Sequence, residues 1–176
     1  MQISLHKLRQ AKDGTLRLEE SVNLDSLVKE VSGLVRLDPV EVRACVTLPE
    51  PHLIEAEAAQ DTRAVLTCSR CLQEFRVDLS GSWTEHFTDD PEMAGETEDG
   101  EIHPVEGETL NLDPFVREAV LLQLPYVPVC REDCKGLCPV CGADRNRNSC
   151  ECRVERIDPR LAVLQDLFKQ DDPKDE

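Results

Sequence analysis

"TRAVLTCSRCLQEFRVDL", residues 62–79, decides the fold class. Its second half alternates strictly: Phe75, Val77 and Leu79 are separated by Arg76 and Asp78, the period-2 pattern of a half-buried strand. "TRAVLT" leads in from the other side with β-formers. Between the halves Cys68-Ser69-Arg70-Cys71 has room only for a turn, so the segment reads as a β-hairpin with a C-x2-C pair at its tip. Working outward, Leu16 and Leu18 flank Arg17, and Val40, Val42, Ala44, Val46 and Leu48 alternate with Glu41, Arg43, Cys45 and Thr47. Each such strand turns one apolar face to a core and one polar face to water. Cys45 falls on the polar face, isolated from the other cysteines, and reads as a structural residue.

Helices are few. "NLDSLVKEVSG", residues 23–33, offers Asn23 or Asp25 as an N-cap and Gly33 as a stop. In "LDPFVREAVLLQLP", residues 112–125, Asp113 is placed to cap, Pro114 suits the first helical position and Pro125 ends the run. Phe115, Ala119 and Leu122, widened by Val116, Val120 and Leu124, form the expected packing stripe. A third helix is expected over 159–168, capped by Asp158 and started by Pro159. The fold expected is therefore α+β: a mainly antiparallel sheet packed with a few helices, with a small cysteine-rich module near the C-terminus. Residues 1–127 form the α+β domain, 128–170 the cysteine module and its helix, and 171–176 a disordered tail.

At 176 residues, with 40% hydrophobic and 32% charged residues, the chain has a globular composition. No apolar run approaches a membrane span, and "MQISLHKLRQAKDG" carries no leader-like apolar core. A cytoplasmic home is expected, where clustered cysteines point to metal rather than disulfides. The net charge is −16, unevenly spread. Residues 85–108 hold ten acids and no Lys or Arg, which reads as an exposed acidic loop. Residues 131–160 hold seven Lys/Arg against six acids, a net of +1 that leaves −17 for the rest. Any contact with nucleic acid would therefore fall on or beside the cysteine segment, with Arg145, Arg147, Arg153 and Arg156 the candidate residues; charge alone equally fits arginines that only keep a small module soluble.

That segment, "CREDCKGLCPVCGADRNRNSCEC" over 130–152, puts six cysteines into 23 residues. A tetrahedral Zn(Cys)4 site needs two ligand pairs, each in a tight turn. "LCPVCG" gives one, with Pro139 stiffening the turn and Gly142 free to take a positive φ. Cys68/Cys71, Cys130/Cys134 and Cys150/Cys152 give three more, which makes two zinc ions. Cys138, Cys141, Cys150 and Cys152 are joined by the short turn-rich loop "GADRNRNS" and form one expected site. Cys68, Cys71, Cys130 and Cys134 form the other, tying the long helix's exit to the hairpin tip. Interleaved pairings, such as Cys130/Cys134 with Cys138/Cys141, and an iron–sulfur cluster remain open on spacing alone. The four histidines sit in no nucleophile motif, and there is no P-loop or GxGxxG, so no enzyme and no small-molecule substrate are expected.

With "TCSRCLQEF", the helix "LNLDPFVREAVLLQLPYVPVC", then "DCKGLCPVCGADRNRNSCEC" and "DPRLAVLQDL" in this order, the chain resembles the YceD family of large ribosomal RNA subunit accumulation proteins. The resemblance covers nearly the whole chain. It implies a non-enzymatic factor for 23S rRNA accumulation or processing, whose partners are the precursor large subunit, a basic ribosomal protein or 23S rRNA itself. The family's Cys-x2-Cys-Leu motif falls on Cys68, Cys71 and Leu72, and its cysteine-rich tail on Cys130, Cys134, Cys138, Cys141, Cys150 and Cys152. A zinc-thiol redox sensor or a protein-interaction adaptor is the competing reading.

Overall fold

The computed structural model of the protein describes residues 1–98 and 100–152. In chain order the elements are β1 Gln2–Ser4, α1 Leu5–Gln10, β2 Thr15–Val22, α2 Leu27–Glu30, β3 Leu34–Leu37 and β4 Val40–Glu50. They continue with β5 Leu53–Thr67, β6 Glu74–Thr88, β7 Gly95–Thr97, β8 Gly100–Pro104, β9 Thr109–Asn111 and α3 Asp113–Gln123. The expected helix over 159–168 and the tail 171–176 lie outside the described residues.

The hairpin read from residues 62–79 is the centre of the fold and far longer than its alternating core. β5 and β6 are each 15 residues long and pair without interruption from Leu53↔Thr88 to Thr67↔Glu74. At about 3.3 Å per residue this is a ribbon roughly 50 Å long. The strand order is β2-β4-β5-β6-β8-β7, with β3 pairing β5 beyond the end of β4. All pairs are antiparallel except β6 with β8. The fold is α+β with a mainly antiparallel sheet.

Alternation places the core. Val40, Val42, Ala44 and Val46 of β4, Ile54, Ala56, Ala58, Ala64 and Leu66 of β5, and Leu79 and Phe87 of β6 are buried on one face. α3 contributes Val116 and Val120, both fully buried, and Leu112 before it. Gln60 is the polar member of this core: it donates to the Val116 carbonyl (3.3 Å) and accepts from the Trp83 indole N–H (3.1 Å). Its polar atoms are thereby satisfied, as burial demands.

Three expectations need correction. The stripe of α3 is rotated: Val116 and Val120 face the sheet, whereas Leu122 is 80% exposed. Leu112 rather than Asp113 is the N-cap residue, and Asp113 takes the ion pair of the Met1 amino group. The capping acceptor is the Asn111 side chain, which receives the Asp113 N–H at 3.1 Å. Residues 85–108 are not one loop: β6 runs through Thr88, β7 and β8 follow, and β9 begins just beyond at Thr109. Glu92, Glu96, Glu98, Glu101, Glu106 and Glu108 are exposed and Glu85, Asp89 and Asp90 are half-buried, while Phe87 and Thr88 are buried. Glu85 accepts from His103 of β8 at 3.1 Å, which joins β8 to β6.

The chain divides into two compact units, Met1–Cys134 and Lys135–Glu176. The reason is local. After α3 the chain returns to the hairpin tip, where the Ser69 N–H donates to the Pro128 carbonyl (2.8 Å) and Arg70 Nη1 donates to the carbonyls of Glu132 and Cys134 (3.1 Å each).

Candidate metal centres

Both C-x2-C turns are built alike. In the first, the Cys68 N–H donates to the Gln73 carbonyl (2.9 Å) and the Leu72 N–H to the Cys68 carbonyl (2.9 Å). In the second, the Cys138 N–H donates to the Ala143 carbonyl and the Gly142 N–H to the Cys138 carbonyl, both at 2.8 Å. The residue after the second cysteine is left-handed in each, with φ of +60° at Leu72 and +73° at Gly142. Glycine adopts that region without strain and leucine does not. Leu72 nonetheless occupies it with its side chain 61% exposed. The equivalence of the two turns was hidden in sequence because only one carries glycine.

The first unit gathers Cys68, Cys71, Cys130 and Cys134, and the second gathers Cys138, Cys141, Cys150 and Cys152, each set with all sulfurs within 4.8 Å of one another. The interleaved pairings are not formed. Cys68 and Cys134 sulfurs are 3.9 Å apart, and Cys71 and Cys130 sulfurs 3.7 Å. A tetrahedron with metal–sulfur bonds of 2.3 Å has edges of about 3.8 Å, whereas a disulfide needs about 2.05 Å. None of the nine cysteines is in a disulfide. In the first cluster these two separations match the tetrahedral edge, and both clusters could hold a thiophilic metal ion. Cys45 is half-buried and outside both clusters.

The local fields separate the thiols within each cluster. Burial opposes ionisation of Cys68, but the backbone N–H groups of Cys130, Cys71 and Arg70 outweigh it and hold the thiol down to about 6. Burial, then the neighbouring sulfurs of Cys68, Cys134 and Cys71, push Cys130 up to about 12. In the second cluster the backbone N–H groups of Cys141 and Val140 hold Cys138 down to about 6, and the Cys141 sulfur together with burial pushes Cys152 up to about 12. One thiolate is favoured in each cluster, and Cys130 and Cys152 resist ionising beside it. A central cation would remove that repulsion.

The surroundings differ. Cys68, Cys71 and Cys134 are buried with Phe75 and Val129 packed against them. In the second cluster only Cys138 is buried; Cys150 is half-buried, and Cys141 and Cys152 are exposed. The second loop is held by its own polar groups: Asp144 Oδ1 accepts the Asn146 N–H (2.9 Å), and Asn146 Oδ1 accepts the Lys135 N–H (2.8 Å). Arg145 and Arg147 project from this loop, both exposed, with Arg147 3.6 Å from Asp144. Arg153 and Arg156 lie outside the described residues. No helix among the described residues is long and apolar enough to cross a membrane.

The fold and the sites define an α+β protein carrying two separate four-cysteine centres. Residues 56–168 match the family described as "Large ribosomal RNA subunit accumulation protein YceD". The chain belongs to this family. It is 31% identical to the uncharacterized protein YlbN of Bacillus subtilis over 98% of this chain and 99% of that one. An uncharacterized protein of Mycobacterium tuberculosis is 41% identical over 57% of this chain and 49% of its own length. The chloroplastic "Large ribosomal RNA subunit accumulation protein YCED homolog 1" of Arabidopsis thaliana is 31% identical over 82% of this chain and 53% of its own length. No solved structure is significantly similar.

Proposed function

We propose that this protein is a non-catalytic factor in large ribosomal subunit biogenesis, supporting accumulation or processing of 23S rRNA, with a structural zinc ion in each cysteine centre. The observation that carries the metal assignment is the gathering of four sulfurs within 4.8 Å in each centre, with the two separations of 3.9 and 3.7 Å in the first matching the edge of a zinc–thiolate tetrahedron. The family's description and the printed name of the Arabidopsis relative carry the process. Zinc, when bound, supplies folding energy on the order of 10 kcal/mol per site. The chain's own residues do the rest: the backbone N–H groups around Cys68 and Cys138 favour thiolate, and Arg70 holds the 132–134 segment against the hairpin tip. Four protein ligands complete a tetrahedral shell and leave no position for a reactive water, the arrangement of structural rather than catalytic sites.

With a net charge of −16, the chain as a whole repels polyphosphate. RNA contact therefore falls to the second unit, at Arg145, Arg147 and, beyond the described residues, Arg153 and Arg156. The acid-rich strands of residues 85–108 face a basic ribosomal protein, in the cytoplasm where precursor subunits are assembled. Depletion of the protein should lower the ratio of 23S to 16S rRNA and of large to small subunits on a sucrose gradient. The wild-type chain should restore both, and a variant with Arg145→Glu and Arg147→Glu should not. Unchanged ratios on depletion would overturn the assignment.

A further inference from the structure

The two centres have the same four-thiol chemistry and unequal protection. In the first, Cys68, Cys71 and Cys134 are 0%, 3% and 4% exposed, and hydrophobic side chains cover them. In the second, Cys141 and Cys152 are exposed, belong to different ligand pairs, and have sulfurs within 4.8 Å of each other. Oxidation of a cysteine follows thiolate character and access to the oxidant, and it becomes a reversible event when a second thiol stands by to resolve the sulfenic acid. Metal binding keeps the ligand thiols of both centres deprotonated, so access decides between them. Only the second centre presents both an accessible attacking thiolate and an accessible resolving one.

We infer that the second centre is a thiol-modification site, at which hydrogen peroxide converts Cys141 and Cys152 to a disulfide and releases that centre's metal while the first centre stays intact. The metal release rests on the zinc reading above. The Cys141 thiolate attacks the peroxide O–O bond, forming sulfenic acid and hydroxide. The Cys152 thiolate then displaces hydroxide from that sulfur and the S–S bond closes. Two thiolates are oxidised by two electrons in all, one peroxide is reduced, and two hydroxide ions leave. With two of its four ligands removed, the centre no longer completes a shell for the metal. Closing from within 4.8 Å to the bond length of about 2.05 Å asks a movement of at most roughly 3 Å, in a loop held mainly by its own hydrogen bonds. Arg145 and Arg147 stand in the segment between Cys141 and Cys150, so the groups assigned to RNA are the ones this reaction disorganises.

The test is to titrate anaerobically purified, metal-loaded full-length chain with hydrogen peroxide. Released zinc is followed with a colorimetric chelator, and each cysteine is read by alkylation and peptide mass spectrometry. The expected result is one equivalent of zinc released first, with a Cys141–Cys152 disulfide, and loss from the first centre slower by about tenfold or more. Thiol reductant with added zinc should reverse the first phase. Parallel release from both centres, or oxidation of Cys68, Cys71, Cys130 or Cys134 before Cys141 and Cys152, would overturn the inference. Should the purified chain hold no metal, the zinc reading fails by itself, and the order in which the eight thiols react with peroxide still decides this one.

Discussion

Arg70 offers the sharpest test of how the first centre is held. Its guanidinium reaches across 62 and 64 residues of chain to the carbonyls of Glu132 and Cys134, at 3.1 Å each. A hydrogen bond from a charged donor contributes about 1.5–3 kcal/mol when shielded, and less on a side chain as exposed as this one. We allow about 1 kcal/mol for each, or about 2 kcal/mol for both, which corresponds to about 30-fold in an equilibrium constant. That falls within the roughly 10- to 100-fold that residues behind metal ligands typically contribute to affinity. Arg70→Met keeps the aliphatic stem and removes both bonds. Zinc affinity at the first centre should fall about 30-fold, measured by chelator competition with alkylation of Cys68, Cys71, Cys130 and Cys134 as the site-specific readout. Affinity at the second centre should not change. A change below about threefold at the first centre, with circular dichroism intact, would refute the reasoning, and so would equal weakening of both.

Other outcomes follow from the same structure. Leu72→Gly should keep full metal content and shift stability by less than about 1 kcal/mol, because relief of the left-handed strain is offset by a more flexible unfolded chain; equilibrium unfolding with zinc analysis checks it. Gln60→Leu strands the Trp83 N–H and removes the bond to the Val116 carbonyl, and should cost about 1–3 kcal/mol in urea unfolding, with Trp83 fluorescence reporting. Asp89 is partly desolvated, which raises its carboxyl, but His52 and Arg9 outweigh this and hold it below the usual carboxylate range. Its contribution to stability is thus full above the ordinary carboxylate pKa of about 4 and is lost as pH falls through the lower folded value. The stability gap between wild type and Asp89→Asn should accordingly hold from neutral pH down to about pH 4 and narrow as pH falls further, and a gap that stays constant through that fall would contradict the assignment.

Sequence pattern made the sheet legible where burial is one-sided. The alternation at Val40–Leu48 and Phe75–Leu79 reports a core face directly, and the observed strands carry it. It fails where other forces decide. β7 and β8 are short and lie at one end of the sheet, and their acids face water, so their composition reads as loop; pairing of β8 with β6 and of β7 with β8 makes them strands. β1 exists because it pairs with β9, more than a hundred residues away, a contact that no local periodicity encodes. The face of α3 was misread because Leu122 looks as apolar as Val120, and only the position of the sheet tells them apart. The cysteine spacing supplied the candidate pairs. Joining Cys130 and Cys134 to Cys68 and Cys71 depended on the return of the chain past Ser69 through Pro128.

The central claim is two separate four-thiolate metal centres. It is tested most directly by counting metal per chain in anaerobically purified wild type, Cys68→Ser and Cys138→Ser. Two zinc ions in wild type and one in each variant are predicted, with the surviving ion held by the untouched cluster. A single ion in wild type, or none with nine free thiols, would contradict the account.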